Sequence, residues 1–430
     1  MRVRQAEHHG HRHDHDHDHG LPLPPTVGES GTGDEGEYLY ERDRLVAAEA
    51  HVDRIAQVGQ QLDGLEILEA RPIGRLGVAL LHIRSRSLAV PELVDGLRAN
   101  SGRDLGVAPN HVLGRASHPA MLSVAPPRPA EERPPVQREP GMPGEGTRIG
   151  VLDTGAWDHP YFDGRCDFRD PDDLDEPDAD GDGLLDFASG HGTFIAGVVL
   201  QHAPGATVVA RRLPSADHGP APHQDYVTDA QLAMALADLP ELRTVDVLTL
   251  SLGGYVHDGL GLLATEAMLG DLRSANPDLV IVAGAGNEGI NEPFFPAASK
   301  HVIAVAALDA SGGRRACFSN YGWWVDACAP GVDVHSTFLE WDADFARYPD
   351  ELPHGCEGLL DGVEKPAGDS FNGWARWDGT SFAAPHVAGA IAARISSGRS
   401  PSEAVFDVLH APGSRRLPLL GTVVDAAIRA

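Results

Sequence analysis

Short apolar runs alternate with longer amphipathic stretches over the last two thirds of the chain. Runs rich in Val, Ile, Leu and Ala predict β-strands over 148–153, 207–211, 246–251, 279–284 and 301–306. Apolar residues at helical spacing predict helices over 193–200, 228–239, 262–274 and 382–395. This alternation predicts an α/β fold in which helices cover both faces of a parallel central sheet. In such a fold ligands bind beyond the carboxyl ends of the strands, so a functional site is expected there.

The chain that precedes this domain falls into three segments. Residues 1–37 alternate His with Asp and are then rich in Pro and Gly, which predicts a disordered tail. Residues 38–123 predict a small α+β domain, with helices over 41–61 and 90–99 and strands over 64–70, 77–84 and 111–114. Residues 124–146 are rich in proline and charge, which predicts an extended linker, and residues 147–430 form the α/β domain.

The net charge narrows the choice of partners. The 63 acidic and 34 basic residues give a formal charge of −29, which disfavours nucleic acid or an anionic membrane as a partner. No apolar run approaches the roughly 20 residues that span a bilayer. The N-terminus lacks the apolar core of a secretory signal, so the expected location is the cytoplasm. The four cysteines are expected there as reduced thiols, and the sequence selects no pairing among Cys166, Cys317, Cys328 and Cys356.

Three short motifs lie at predicted strand or helix ends. Asp153 closes a strand in Gly-Val-Leu-Asp-Thr-Gly, His191 opens a helix in Gly-His-Gly-Thr, and Ser381 enters a helix in Gly-Thr-Ser-Phe-Ala. Each motif alone is typical of an ordinary turn or helix cap. Together they supply what acyl transfer requires, because an attacking serine needs a base to take its proton and an acid to orient that base. The pattern therefore indicates a serine hydrolase whose catalytic residues follow the chain order Asp, His, Ser.

With these motifs in place, residues 147–430 closely resemble the subtilisin-like serine proteases, or subtilases. The resemblance extends to the Gly-Ala-Gly-Asn segment that contains Asn287 and to a Phe-Pro-Ala-Ala segment after it. It implies a subtilisin-like fold and a serine endopeptidase that acts on polypeptides and needs no cofactor for its chemistry. The implied roles are Ser381 as nucleophile, His191 as general base, Asp153 as the group that orients it, and Asn287 as oxyanion donor beside the Ser381 N–H.

The resemblance also implies a primary specificity pocket. Its two walls are expected to be Ser251, Leu252 and Gly253 on one side and Ala283, Gly284 and Ala285 on the other. Such small walls favour large apolar side chains before the cleaved bond. The segment 337–378 is longer than in compact relatives, and it is expected to wall or gate the cleft.

Two segments raise the question of metal binding. Residues 178–186 match the first nine positions of an EF-hand loop, with ligand positions filled by Asp178, Asp180, Asp182 and Asp186. At the twelfth position, however, Ser189 stands where the bidentate Glu belongs. The segment is therefore either a calcium-binding loop of another kind or a solvated acidic loop. The His-rich tail is either a solvated segment or a loose ligand for nickel, zinc or copper.

Residues 38–123 resemble, in position, size and element order, the propeptide that caps a subtilase before self-cleavage. This implies a precursor that is processed near 114–123 or held latched, with a protein activator or regulator as a further partner. An unrelated α+β domain is the alternative for this segment. For the whole protein the alternative is a catalytically silent subtilase fold with a binding or regulatory role. An aspartic protease would need a second Asp-Thr-Gly motif, which does not occur. An esterase of the α/β-hydrolase type would need a Gly-x-Ser-x-Gly motif, which does not occur either.

Overall fold

The computed structural model describes residues 27–30, 38–101, 104–115, 124–133, 139–169, 171–178, 183–186, 188–213, 226–342, 356 and 370–425. These residues form an N-terminal module (27–115) and an α/β domain (124–425). The two share one large core cluster of buried apolar side chains. Neither is therefore an isolated body.

The N-terminal module is an antiparallel sheet with two helices. Its strands are β1 (Val27–Ser30), β2 (Tyr38–Ala48), β3 (Glu66–Pro72), β4 (Val78–Arg84) and β5 (Val107–Arg115), and its helices are α1 (Val52–Asp63) and α2 (Val90–Ser101). β2 is central and lies between β5 and β4, β3 pairs with β4, and β1 pairs with β2. A left-handed Gly64 (φ 64°) ends α1, as the preference for glycine at this position leads one to expect.

The helix predicted over 41–61 is wrong in its first part. Residues 41–48 continue β2, a short 3-10 turn follows over Glu49–His51, and only then does α1 begin. Leu45, Val46 and Ala47 are all buried, since β2 carries α2 on one face and the α/β domain on the other. A run buried on both faces has no alternation, so its pattern cannot separate strand from helix. Residues 27–30 of the expected disordered tail also form a strand, while 1–26 and 31–37 lie outside the described residues.

The α/β domain contains the alternating elements that the sequence predicts. Its strands are β6 (Arg128–Pro129), β7 (Arg148–Asp153), β8 (Cys166–Asp167), β9 (Thr207–Arg212), β10 (Tyr226–Thr228), β11 (Val247–Leu250), β12 (Val280–Gly284), β13 (Val302–Leu308), β14 (Ala327–Pro330), β15 (Val334–Asp342), β16 (Ser370–Trp377), β17 (Arg416–Leu417) and β18 (Gly421–Val423). Its helices are α3 (His191–His202), α4 (Asp229–Asp238), α5 (Leu263–Ala275), α6 (Thr380–Ser396) and α7 (Pro401–Leu409).

The central sheet has the order β17-β18-β14-β13-β12-β11-β7-β9-β8 and is parallel except at β17. Its two faces are covered by different helices. Val280 and Val282 of β12 pack in the core that contains α3 and α6, whereas Ile281 and Ala283 pack in the core that contains α4 and α5. This alternation confirms the predicted parallel sheet with helices on both faces.

Two short strands connect segments that the sequence analysis treats as separate. β10 of the α/β domain pairs with β5 of the module in antiparallel register, so the module's sheet extends to six strands. β6 lies in the proline-rich segment and pairs with β16, which itself forms a hairpin with β15. Part of the segment predicted as a linker is therefore built into the α/β domain as a strand, and its residues 140–146 form turns.

Cys317 and Cys356 form a disulfide, with Cα atoms 5.4 Å apart. The expectation of reduced thiols is wrong for this pair, whereas Cys166 and Cys328 are free. The disulfide ties the long 337–378 segment to the loop after β13. Since disulfides persist mainly in oxidising compartments, this pairing does not favour the cytoplasmic location expected from the N-terminus. Among the described helices, none combines the length and the apolar composition needed to cross a bilayer.

Candidate active site

The predicted catalytic residues lie at the carboxyl end of the central sheet. Asp153 is the last residue of β7, His191 the first of α3, and Ser381 the second of α6. Asn287 lies in the loop that follows β12. Parallel strands place their carboxyl ends at one edge, so four segments far apart in sequence meet there.

Asp153 and His191 are directly hydrogen-bonded. Asp153 Oδ1 and His191 Nδ1 are 2.7 Å apart, and both side chains are buried. Because a carboxylate only accepts, Nδ1 carries the proton in the neutral ring and Nε2 is the nitrogen able to accept one. The imidazole packs edge-on against Trp377, with ring centroids 5.6 Å apart, and against the tilted ring of Phe382, with centroids 5.2 Å apart. These contacts fix the plane of the ring.

Ser381 Oγ and His191 Nε2 are not hydrogen-bonded to each other. Ser381 Oγ donates to the carbonyl of Ser251 at 3.2 Å, and Ser251 Oγ donates back to the carbonyl of Ser381 at 3.1 Å. His191 Nε2 is buried and makes no hydrogen bond to any of the described residues. Catalytic hydrogen bonds often close only when substrate binds, so this geometry is compatible with a serine–histidine pair.

Asn287 is held in a defined orientation beside the nucleophile. Its side-chain oxygen accepts from the backbone N–H of Thr380 at 2.8 Å and from the Thr380 hydroxyl at 2.9 Å. A backbone N–H must donate, so this contact identifies the oxygen and leaves the two N–H groups of the amide on the opposite side. Asn287 therefore presents donors close to the residue that precedes Ser381.

The expected pocket walls follow two neighbouring strands. Ser251, Leu252 and Gly253 follow β11, and Ala283 and Gly284 end β12, which pairs with β11 in parallel register. Gly254 is the next residue along the first wall, and a Cβ added there would lie only 2.8 Å from the carbonyl oxygen of Val112 in β5. The module's last strand thus lies against the end of this wall.

Asp175 is a site residue that the sequence analysis does not single out. Its Oδ2 accepts from the backbone N–H of Gly190 at 2.8 Å and from the Thr154 hydroxyl at 3.3 Å. The Thr154 hydroxyl in turn accepts from the N–H of Gly192 at 3.0 Å. Gly190 is left-handed (φ 80°), so one carboxylate stabilises the turn on both sides of His191. Burial, with the negative charge of Asp153, raises the pKa of Asp175 to about 7 although the Gly190 hydrogen bond opposes this.

A second buried contact joins the helices that carry His191 and Ser381. His202 Nε2 of α3 and His386 Nδ1 of α6 are 2.5 Å apart. Burial lowers the pKa of His202 to about 4 and that of His386 well below its ordinary value, so both rings are neutral near pH 7. One neutral ring donates and the other accepts.

The contact between the module and the α/β domain includes a buried polar network. Asn110 of β5 donates to Glu41 Oε2 at 2.6 Å and accepts from the N–H of Ala230 at the start of α4, at 3.0 Å. The Tyr226 hydroxyl donates to Glu41 Oε1 at 3.0 Å. Next to Asn110, His111 Nε2 accepts from the backbone N–H of His257 at 3.0 Å, and burial lowers the pKa of His111 to about 3. The interface thus holds polar groups in fixed pairs as well as apolar ones.

The acidic segment is only partly described. Asp178 Oδ2 accepts from the N–H of Gly183 at 3.0 Å, whereas Asp180 and Asp182 lie outside the described residues. Within the described part of the chain, no cluster of three or more His, Cys, Asp or Glu side chains could hold a metal ion. Calcium binding by Asp178, Asp180, Asp182 and Asp186 therefore stays a prediction. The His-rich tail, with its proposed affinity for transition metals, also lies outside the described residues.

Comparison with known proteins identifies the family of the α/β domain. Residues 144–405 match the subtilase family. A thermophilic serine proteinase from Bacillus sp. (strain AK1) is 32% identical over 274 residues, which are 60% of this chain and 54% of that protein. Thermitase from Thermoactinomyces vulgaris is 30% identical over 268 residues, which are 60% of this chain and 78% of thermitase. The chain therefore spans about half the length of the first of these relatives.

Among solved structures, fervidolysin from Fervidobacterium pennivorans, a keratinolytic enzyme related to subtilisin, superposes with a TM-score of 0.54. The superposition covers 95% of this chain and 64% of fervidolysin at 20% identity, and at that identity it bears on the fold alone. It supports the subtilisin-like architecture. Since the family match covers more than half of the residues, the chain belongs to the subtilase family.

Proposed function

We propose that this protein is a serine endopeptidase that hydrolyses peptide bonds through an acyl-enzyme intermediate. The observation that carries the proposal is the buried Asp153–His191 pair, 2.7 Å apart, at the sheet edge where α6 begins with Ser381. A silent member of the family would have no need to keep a buried carboxylate in contact with a buried imidazole, since desolvating such a pair costs free energy.

In the proposed mechanism Ser381 Oγ attacks the carbonyl carbon of the scissile bond while its proton passes to His191 Nε2. The carbonyl oxygen gains the negative charge and is stabilised by the Asn287 amide and the Ser381 N–H, with the positive end of the α6 dipole adding to both. His191 then gives its proton to the leaving amine and the acyl-enzyme forms. Water then attacks the acyl carbon while His191 takes one of its protons, and the bond to Ser381 Oγ breaks as His191 returns that proton to the serine. Asp153 holds Nδ1–H throughout.

We also infer that the N-terminal module is a propeptide that latches the enzyme. β5 supplies the backbone that pairs with β10, and its Val112 carbonyl lies over Gly254 at the end of the first pocket wall. An extended peptide that adds a strand to β10 would occupy the place that β5 holds. Self-processing within 116–123 would then separate the module from the enzyme.

The substrate proposed from this arrangement is an extended polypeptide with a large apolar side chain before the cleaved bond. Main-chain pairing with β10 would supply affinity that does not depend on sequence, and the pocket between Ser251–Gly253 and Ala283–Ala285 would supply the preference. Nucleic acid and membranes are not proposed as partners. A protein that displaces the module is the regulator that fits a latched precursor.

The experiment is an intact-mass time course of the full chain with its Ser381→Ala variant, together with labelling by a fluorophosphonate probe. Ser397→Ala is the matched control, because Ser397 is exposed at the other end of the same helix. We expect wild type and the Ser397→Ala variant to be labelled and shortened near 116–123, and the Ser381→Ala variant to stay whole and unlabelled. Absence of labelling in wild type, even after the module is removed by limited proteolysis, would support the silent binding protein instead.

Calcium binding is a further proposal, and the cytoplasmic location expected from the N-terminus is kept as one although the Cys317–Cys356 disulfide favours an oxidising compartment. Thermal unfolding with added calcium and with a chelator tests the first, using Asp178→Asn as the variant that should lose any calcium effect. Fractionation of the native host tests the second, and recovery in the surrounding medium would contradict it.

A further inference from the structure

A segment that the composition assigns to the linker contacts the residues that support the catalytic site. Residues 124–130, here called the strap, run beside β16, the strand that leads directly into the nucleophile loop. Pro129 pairs with Ala375 in the register of β6 and β16, and the N–H of Ala130 donates to the carbonyl of Trp374 at 3.1 Å. The strap is thus a third strand on the β15–β16 hairpin.

The strap holds the residue at which β16 gives way to the nucleophile loop. Asp378 lies three positions before Ser381, and its side chain is only 1% exposed. Arg128 Nη1 donates to Asp378 Oδ2 at 2.8 Å, and the N–H of Val124 donates to the Asp378 carbonyl at 3.3 Å. Asp333 completes the set, since its N–H donates to Asp378 Oδ1 at 2.6 Å. A carboxylate this buried needs its cation, because desolvation without a partner is costly.

The strap also supports the ring beneath His191. The indole N–H of Trp377 donates to the carbonyl of Ala125 at 2.6 Å, and Trp377 is fully buried. Its ring packs edge-on against His191 and lies 4.9 Å from that of Phe382, the residue after Ser381. One short segment therefore contacts the supports of both the nucleophile and the base.

We propose that the strap is part of the catalytic apparatus of this enzyme, with Arg128 as a positioning residue that sets the nucleophile loop through Asp378. The inference rests on the proposed function and deepens it. It requires that any processing cut fall before Val124, within 116–123, so that the strap stays covalently joined to the enzyme. A cut in 134–138 would leave the strap on the fragment that carries the module.

The test compares Arg128→Met with Arg133→Met in the full chain. Arg133 lies just beyond the strap and contacts Gln201 and His335 rather than the nucleophile loop, so its loss removes the same charge from the same region. We expect Arg128→Met to lower kcat for a peptide amide by about 10²-fold with KM almost unchanged, because a displacement of about 1 Å has that effect. Fluorophosphonate labelling of Ser381 should slow in parallel. Arg128→Lys should restore part of the rate, and Arg133→Met should match wild type.

The outcomes separate this inference from the proposed function. Equal labelling and equal kcat for folded Arg128→Met and for wild type would overturn the inference alone, while no labelling of wild type would refute the proposed function and the inference with it. Should Arg128→Met fail to fold, a recognition site for a specific protease is placed in 116–123 or in 134–138. Once the N-terminal fragment is washed away, the first cut should preserve labelling and the second should abolish it. Equal labelling after both cuts would overturn the inference.

Discussion

Replacing Asp175 by asparagine should remove one component of the pH dependence of folding. The folded protein holds the Asp175 proton with a pKa of about 7, against an ordinary value of 3.8. A difference of about 3 pKa units corresponds to about 4 kcal/mol of unfolding free energy. Because the folded state binds this proton more tightly than the unfolded chain, the contribution is complete below about pH 4 and is lost as the pH rises through 7.

The assay is urea unfolding in half-unit steps from pH 4 to pH 8, in a Ser381→Ala background that prevents self-digestion. The amide introduced by Asp175→Asn would be neutral at every pH and could still accept from Gly190 and pair with the Thr154 hydroxyl. We expect the variant and wild type to be similarly stable near pH 4, and the variant to be more stable by about 4 kcal/mol at pH 8. Taking the difference between the two proteins cancels every other titrating group.

The matched control is Asp172→Asn, which removes an exposed carboxylate from the same acidic stretch. Its stability curve should run parallel to that of wild type. Parallel curves for Asp175→Asn and wild type across the whole range would refute the reasoning. They would mean that the hydrogen bonds from Gly190 and Thr154 hold the carboxylate ionised despite its burial.

Three further changes test other parts of the site. Asn287→Ala should lower kcat for a peptide amide by about 10²–10³ with little change in KM, the cost of losing one oxyanion donor, and an unchanged kcat would exclude that role. Burial lowers the pKa of His202 to about 4, so wild type should lose about 3 kcal/mol of unfolding free energy as the pH falls from 6.5 to 4. His202→Gln should abolish this loss, and urea unfolding at pH values above and below this window measures it. Asn110→Ala should weaken docking of the module by about 1–3 kcal/mol, since it removes the hydrogen bonds that Asn110 makes with Glu41 and with the Ala230 N–H. Unchanged retention of the module after a cut in 116–123 would contradict this.

The bounds of helices with clear periodicity, and of short apolar strands that end at turn residues, could be predicted from the sequence to within two or three residues. β7, β9 and β12 are short apolar runs in a sheet covered on both faces, and α6 follows a glycine at the nucleophile motif. Residues 41–48 of β2 could not be distinguished from a helix, because Leu45, Val46 and Ala47 are buried on both faces and show no alternation. A short apolar run bounded by turn residues indicates a buried strand, whereas a longer run such as 41–61 fits a strand or a helix equally well.

The site divides in the same way. Asp153, His191 and Ser381 stand in motifs whose residue types and flanking glycines are themselves informative. Asp175 has no such signal, since the acidic stretch around it offers several carboxylates that look equivalent in sequence, and the fold alone determines that Asp173 and Asp175 are buried. Arg128 is likewise one of many surface-type residues in a proline-rich segment. Its partner Asp378 is 250 positions away, and no rule of spacing connects them.

The pairing of β5 with the edge of β10 has a consequence for how inhibition by the module would end. One edge cannot pair with two strands, so under the proposed function the module and a peptide aligned on β10 would compete for the same place. A short tether commonly maintains an effective concentration of about 1 mM. Cutting it changes none of the contacts, yet in a solution of about 1 μM protein the concentration of the module near its site falls roughly a thousandfold. Dissociation then depends on dilution, and a substrate at modest concentration can complete the displacement.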